Sequence, residues 1–370
     1  MQRVTSWRLW ISLGLLFVLI LCGWSMYDEA MAQDVIPVDC NEAGQTLGQA
    51  LQTANPGDTI LISGTCQETV TVTTDDLTLD GQGSAIIDGG GENQPGVFLQ
   101  GLLTVDGAQR VTIRGLTVQN GPDGILATRG AAVTLADLMV QNNADDGIQV
   151  MLNSTADMSG TMTSMGNADD GIVILDSSSL HITDGTVMAQ GNGDDGVSIF
   201  SSSALRITNS TVQLEQNGVT DPTGDGLVVS STSTVSTTGA GMVQIVANQN
   251  ANRGIVVSSS AIFSLGVPSS TVLTNNGLDG LGVFNLSRFI LPAGTELRLE
   301  NNARFGLIAT NLAIVFCAAD SNVVLSGNGM DPFFENSIVS EACLGSGTQG
   351  TPRTMTAPAT GVSPQDKEDY

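Results

Sequence analysis

Three stretches of the chain place two adjacent aspartates before a glycine: Asp145-Asp146-Gly147, Asp169-Asp170-Gly171 and Asp194-Asp195-Gly196. Single aspartates precede a glycine in the same way at Asp123, Asp225 and Asp279. Carboxylates held side by side repel one another, keep their protons to higher pH and attract a cation. Calcium, which takes several carboxylate and carbonyl oxygens, suits such a set. Paired carboxylates are also what glycoside hydrolysis uses. A third reading is turn chemistry, because Asp accepts local backbone N–H groups and suits tight turns.

The rest of the inventory bounds these readings. The chain has 370 residues, 41% hydrophobic, with 44 Gly and a formal charge of −25. That charge repels phosphate backbones and argues against nucleic-acid binding. Arg3 and Arg8 precede an apolar run from Leu9 to Trp24, and Ala30-Met31-Ala32 offers small residues at a cleavage site. Residues 1–32 therefore read as a signal peptide, which implies a secreted or cell-envelope protein with no other membrane segment. Removing it takes all three Trp and Tyr27, and leaves Tyr370 as the last tyrosine, Lys367 as the single lysine and His181 as the single histidine. Lyase chemistry needs a base beside a cation, and only Arg206 and Arg253 stand near the acidic positions, where each would neutralise them. His181 reads as an ordinary strand residue. Sugar stacking on Trp or Tyr is absent, and Phe200, Phe263, Phe284 and Phe305 are candidates for filling a core.

The acidic stretches belong to a larger repeat. An Asn stands four residues before a Gly at Asn120/Gly124, Asn143/Gly147, Asn167/Gly171, Asn192/Gly196, Asn250/Gly254, Asn276/Gly280 and Asn302/Gly306. Asn328 opens a copy whose glycine position is Pro332, and Asn217 reaches Gly226 only after five extra residues. The glycines are spaced by 23, 24, 25, 30, 28, 26 and 26 residues. A period in this range marks a repeat architecture. Within each period the apolar residues alternate, as in Leu180-His181-Ile182, so the units are short strands with no helix between them. Three short strands per period suit a parallel β-helix of about eleven coils from roughly Thr59 to Ser340, stacked at about 4.8 Å around an apolar bore. Asn and Gly are expected to supply the turns that need positive φ, and stacked Asn side chains to form a ladder.

With these residues the chain resembles the right-handed parallel β-helix proteins of the pectate-lyase-like superfamily. Right-handedness is what that resemblance implies. "TLGQALQTA" (46–54) reads as a short helix, and in that family such a segment caps the open end. The expected organisation is a signal peptide at 1–32, an N-terminal cap at 33–58, the all-β solenoid at 59–344 and a disordered tail at 345–370. Cys40 and Cys66 are 26 residues apart, as are Cys317 and Cys343. That is about one coil, so each pair falls within disulfide reach on neighbouring coils, and Cys40–Cys66 and Cys317–Cys343 would staple the two ends.

"GDDGVSI" (193–199) also resembles the Gly-Asp-Asp motif of polygalacturonases. That family's Asn-Thr-Asp and Gly-His-Gly motifs have no counterpart, and its Arg-Ile-Lys is only partly echoed by Arg206-Ile207-Thr208. Near-copies of the Asp pair recur one and two coils earlier, which favours turn chemistry first, cation binding second and catalysis third. The expected function is a monomeric, non-catalytic binding or structural surface, for calcium, extracellular polysaccharide or a surface protein. The alternative is a polysaccharide hydrolase or lyase on the same fold. A cation site, where one exists, is expected at Asp170, Asp194, Asp195, Asp221 and Asp225, beneath the loop "GVTDPTGDG" (218–226), because insertions in a solenoid gather on the binding face.

Overall fold

The computed structural model describes residues 33–91 and 100–344; the stretches expected to be a signal peptide, 1–32, and a tail, 345–370, lie outside the described residues. Every coil pairs in parallel with the next. The strand Ile172–Ile174 sits in register between Ile148–Val150 and Val197–Ile199. This sheet holds eleven strands, one per coil, from Val70–Val72 to Phe333–Glu335. The other two faces merge into a nineteen-stranded sheet, because in the middle coils one long strand bends through both, as Thr155–Met165 and Ser179–Gln190 do. The bend falls on a left-handed residue, Asp137, Gly160 or Asp184, and in the next coil left-handed Asn209 separates two strands at the same corner.

Alternation builds the bore. Val197, Ile199, Leu205, Ile207, Val212 and Leu214 all point inward and are at most 2% exposed. Each such side chain contributes about 1.5–3 kcal/mol of burial. Phe263 lies in the bore, stacked 5.4 Å from Phe289. Phe284 and Phe305 do not. They form a second apolar cluster with Val256 and Ile308, apart from the main core, and Phe200 is only half-buried.

The helix α1 (Leu47–Thr53) closes the N-terminal end. Thr46 Oγ1 accepts from the Gln49 N–H at 3.1 Å, while the Glu68 carboxylate accepts from the Leu47 and Gly48 N–H groups at 2.6 and 2.9 Å. Fully buried Leu47 then belongs to the core itself. Disulfides join Cys40 to Cys66 and Cys317 to Cys343, with Cα separations of 5.0 and 5.1 Å.

The Asn ladder runs from Asn143 through Asn167, Asn192, Asn217, Asn250, Asn276 and Asn302 to Asn328. Each Nδ2 donates to the next Oδ1 at 2.9–3.1 Å. Asn120 is not its first rung. The turn of that coil is one residue shorter, so Gly121 takes the ladder position and donates its N–H to Asn143 Oδ1. Asn120 falls instead on the left-handed residue before it, with φ 59°. The repeat glycines also differ from expectation, since none from Gly124 to Gly306 has positive φ. A Cβ on Gly171 would lie 2.5 Å from the Gly196 carbonyl oxygen and 2.7 Å from Asn192 Nδ2. Glycine is required there by the close approach of the next coil.

Candidate acidic site

The inner aspartates form a second ladder, running the other way. Asp123 Oδ1 accepts from the Asp146 N–H, Asp146 Oδ1 from Asp170, Asp170 Oδ1 from Asp195, and Asp195 Oδ1 from Asp225, at 2.6–3.3 Å. Asp225 Oδ1 accepts from the Arg253 N–H, and Asp279 Oδ1 from the Phe305 N–H. All six side chains are buried. The turn reading is therefore realised in these residues, since each carboxylate satisfies a main-chain N–H that the coil reversal would orphan.

Burial has an electrostatic consequence. It is the largest cause holding Asp123 up at about 7, with Asp145 next. Burial pushes Asp146, Asp170 and Asp195 well above the usual carboxylate range, reinforced by the neighbouring carboxylates. Asp225 stands at about 7 through burial, opposed by the Arg253 charge. At the C-terminal end the column carries its own cations. Arg253 Nε lies 3.2 Å and Arg304 Nη2 2.8 Å from Asp279 Oδ2. The two guanidiniums also lie over the Phe284 and Phe305 rings. Arg253 thus neutralises the column as expected. Arg206 does not, because it sits in the strand Ala204–Thr208 of the neighbouring face.

The outer aspartates are more open. Oxygens of Asp145, Asp146 and Asp169 lie within 4.8 Å of one another, and so do oxygens of Asp169, Asp170 and Asp194. Asp169 is shared by both groups. Burial raises Asp194 to about 6, with Asp221 the next cause, and burial and Asp221 likewise raise Asp169. The inserted loop accounts for this neighbour. It folds back on the preceding coil, with Thr220 and Asp221 donating their N–H groups to the Gly193 carbonyl.

Of the five expected ligands, Asp170 and Asp194 converge with Asp169. Both oxygens of Asp195 are engaged, Oδ1 by the Asp225 N–H and Oδ2 by the Ser198 hydroxyl at 2.8 Å. Asp225 is turned into its hydrogen bond with Arg253. Asp221 is exposed, and its Oδ1 accepts from the Thr223 N–H and hydroxyl. Asp169 and Asp145 complete the two groups, and the signal for them was their place in the pairs. The oxygens present, three carboxylates per group, fit a hard cation such as calcium.

Coil stacking, the Asn ladder and the inward alternation together define a parallel β-helix. A family profile described as "Right handed beta helix region" matches residues 58–239 and 100–303, and the chain belongs to that family. Among solved structures it is similar to pectate lyase Pel9A, at 16% identity over 80% of this chain and 79% of that one, with a TM-score of 0.47. It is also similar to the A-module of mannuronan C-5 epimerase AlgE4 from Azotobacter vinelandii, at 12% identity over 83% and 90%, with a TM-score of 0.41. No curated protein sequence matches it.

Proposed function

We propose that the protein is an exported, disulfide-stapled β-helix that works as a non-catalytic binding surface and holds calcium on its acidic column. The observation that carries this reading is Asp169, whose carboxylate belongs to two three-carboxylate groups at once. Each group sets a buried aspartate, Asp146 or Asp170, beside more open ones. Among the described residues no ion pair to an arginine involves them. Carboxylates this close are costly to ionise together, and a divalent cation would offset that cost. Export rests on the leader pattern at 1–32 and accords with the two disulfides. The non-catalytic part rests on recurrence. The Asp pair is repeated coil after coil, and its inner member is committed to a main-chain N–H each time. An acid–base pair for glycoside cleavage would instead need a carboxylate facing substrate.

Isothermal calorimetry with calcium tests the cation, comparing wild type with Asp169→Asn. Binding by wild type that falls at least tenfold in the variant is expected. No binding, or equal binding, would overturn it. A depolymerisation screen on uronate and neutral polysaccharides, with and without calcium, tests the rest. Released oligosaccharide would establish an enzyme.

A further inference from the structure

One outer face of the solenoid changes character toward its C-terminal end. In the middle coils it presents polar residues, such as His181, Arg206 and Ser236. In register with these, the last coils present Ile290 and Phe316, with Ile314 and Ile338 beside them. Phe316 is 50% and Ile338 68% exposed. The turn leading into these strands changes in the same coils. Its second left-handed residue is Ser177, Ser202, Thr232 and Ser260 in successive coils, then Leu286 and Leu312, with φ between 61° and 64° throughout. Leucine is ill suited to that conformation, and at 59% and 63% exposed these two gain little from burial within the chain. Strained and exposed apolar residues mark a surface that something covers.

Two charges stand at opposite corners of this face. Arg288 opens the strand Arg288–Leu291, two coils before Ile338, and Glu341 lies just beyond the last strand, Ile338–Val339. The Cys317–Cys343 disulfide holds the short helix Glu341–Leu344 against the strand Ile314–Cys317, which fixes where Glu341 stands. Both charged residues are exposed. Among the described residues neither belongs to an ion pair, whereas Arg110, Arg114, Arg129, Arg253, Arg298 and Arg304 all pair with carboxylates. The strands of the face offer Arg288 no carboxylate of their own.

We propose that this face is an interface between two copies of the chain, related by a two-fold axis that lies in the face. An axis running diagonally from Ile338 to Ile290 sets Arg288 of each copy against Glu341 of the other. The apolar residues between them then meet their own kind. A two-fold interface has to be complementary to itself, and an unpaired cation and an unpaired anion at opposite corners meet that condition. It takes the place of the monomer expected from the sequence. The net charge of −25 opposes association, and the face spans only about 15 Å each way. The dimer is therefore a weak one, at the small end of interface sizes.

Sedimentation equilibrium of the chain from residue 33 onward tests it, over a concentration series reaching the high micromolar range. A monomer–dimer equilibrium is expected. Leu312→Asn keeps a residue suited to φ 64° and should weaken the dimer about tenfold. Arg288→Glu and Glu341→Arg should each weaken it by about the same factor, and the double variant should restore it. All three side chains are exposed, so folding is not at stake. Deleting residues 345–370 should leave the dimer unchanged. A chain that stays monomeric throughout, or a double variant as weak as the single ones, would overturn the proposal. So would a dimer seen only after the deletion, which would give the face to residues 345–370.

Discussion

Asp195 Oδ1 accepts a 2.6 Å hydrogen bond from the backbone N–H of Asp225, one coil further along the chain. Its role as acceptor is separable from its charge. Asp195→Asn keeps an acceptor oxygen while removing a charge beside Asp170 and Asp225. At pH 8 in chelator this variant should be more stable than wild type in urea unfolding. Asp195→Leu leaves the buried Asp225 N–H without a partner and should lose about 1–3 kcal/mol relative to Asp195→Asn. Equal midpoints for the two variants would remove the ladder role from Asp195.

Much of this was legible in the sequence, because the period forces equivalent residues into columns. The Asn rungs from Asn143 onward, the parallel coils and the cysteine pairing follow from the period. The right hand of the solenoid and its capping helix come instead from the family resemblance, and the same spacing wrongly puts Asn120 in the series. Which aspartate of a pair turns inward does not, since adjacent residues at a turn point to different sides by an amount the turn geometry sets. Asp195 and Asp225 were therefore expected among the ligands, whereas Asp169 stood outside that set. A ladder of serines was also hidden. Ser154, Ser178 and Ser203 each donate an N–H to the next hydroxyl, at Ser178, Ser203 and Ser233. Serine is so common in turns that its recurrence carries little signal.

The repeat glycines make a sharper test of the stacking geometry. Gly171→Ala places a methyl 2.5 Å from the Gly196 carbonyl oxygen, and neither backbone can move without breaking the coil pairing. A loss of about 3 kcal/mol or more is expected in urea unfolding. Gly191 is the opposite case. Its φ is +64°, yet a Cβ there meets nothing within 4 Å. Asn142, Asn275 and Asn301 hold the equivalent left-handed position before a ladder Asn, so Gly191→Asn should be nearly neutral. Equal costs for the two would show that the close approach of the next coil does not govern the repeat glycine.

The Cys317–Cys343 disulfide closes a separation of 26 residues, worth about 3.5 kcal/mol of chain entropy. In a solenoid each coil contacts only its neighbours, so the effect of losing it should be local. Cys343→Ser is expected to speed hydrogen exchange in the strands Ile314–Cys317 and Ile338–Val339. Exchange in the middle coils, at Ile172–Ile174 and Val197–Ile199, should stay at the wild-type rate. A uniform change along the chain would mean that the coils unfold as one unit.

The acidic column predicts an unusual dependence on pH. Asp123 and Asp225 stand at about 7 and Asp194 at about 6, against 3.8 as their ordinary value. Between those limits the folded chain binds more protons than the unfolded one, so stability falls as pH rises. The contribution of these groups is fully present below about pH 4 and is lost as pH climbs through 6 and 7. In chelator, the thermal midpoint should therefore be higher at pH 5 than at pH 8, contrary to the acid sensitivity of a protein built on ion-paired carboxylates. Added calcium should raise the pH 8 midpoint far more than the pH 5 one, because the cation competes with protons for the same oxygens. Asp169→Asn should blunt that calcium effect while leaving the fall with pH largely in place, since Asp123 and Asp225 still titrate. A midpoint that rises from pH 5 to pH 8 in chelator would show that the inner column is ionised and compensated from within.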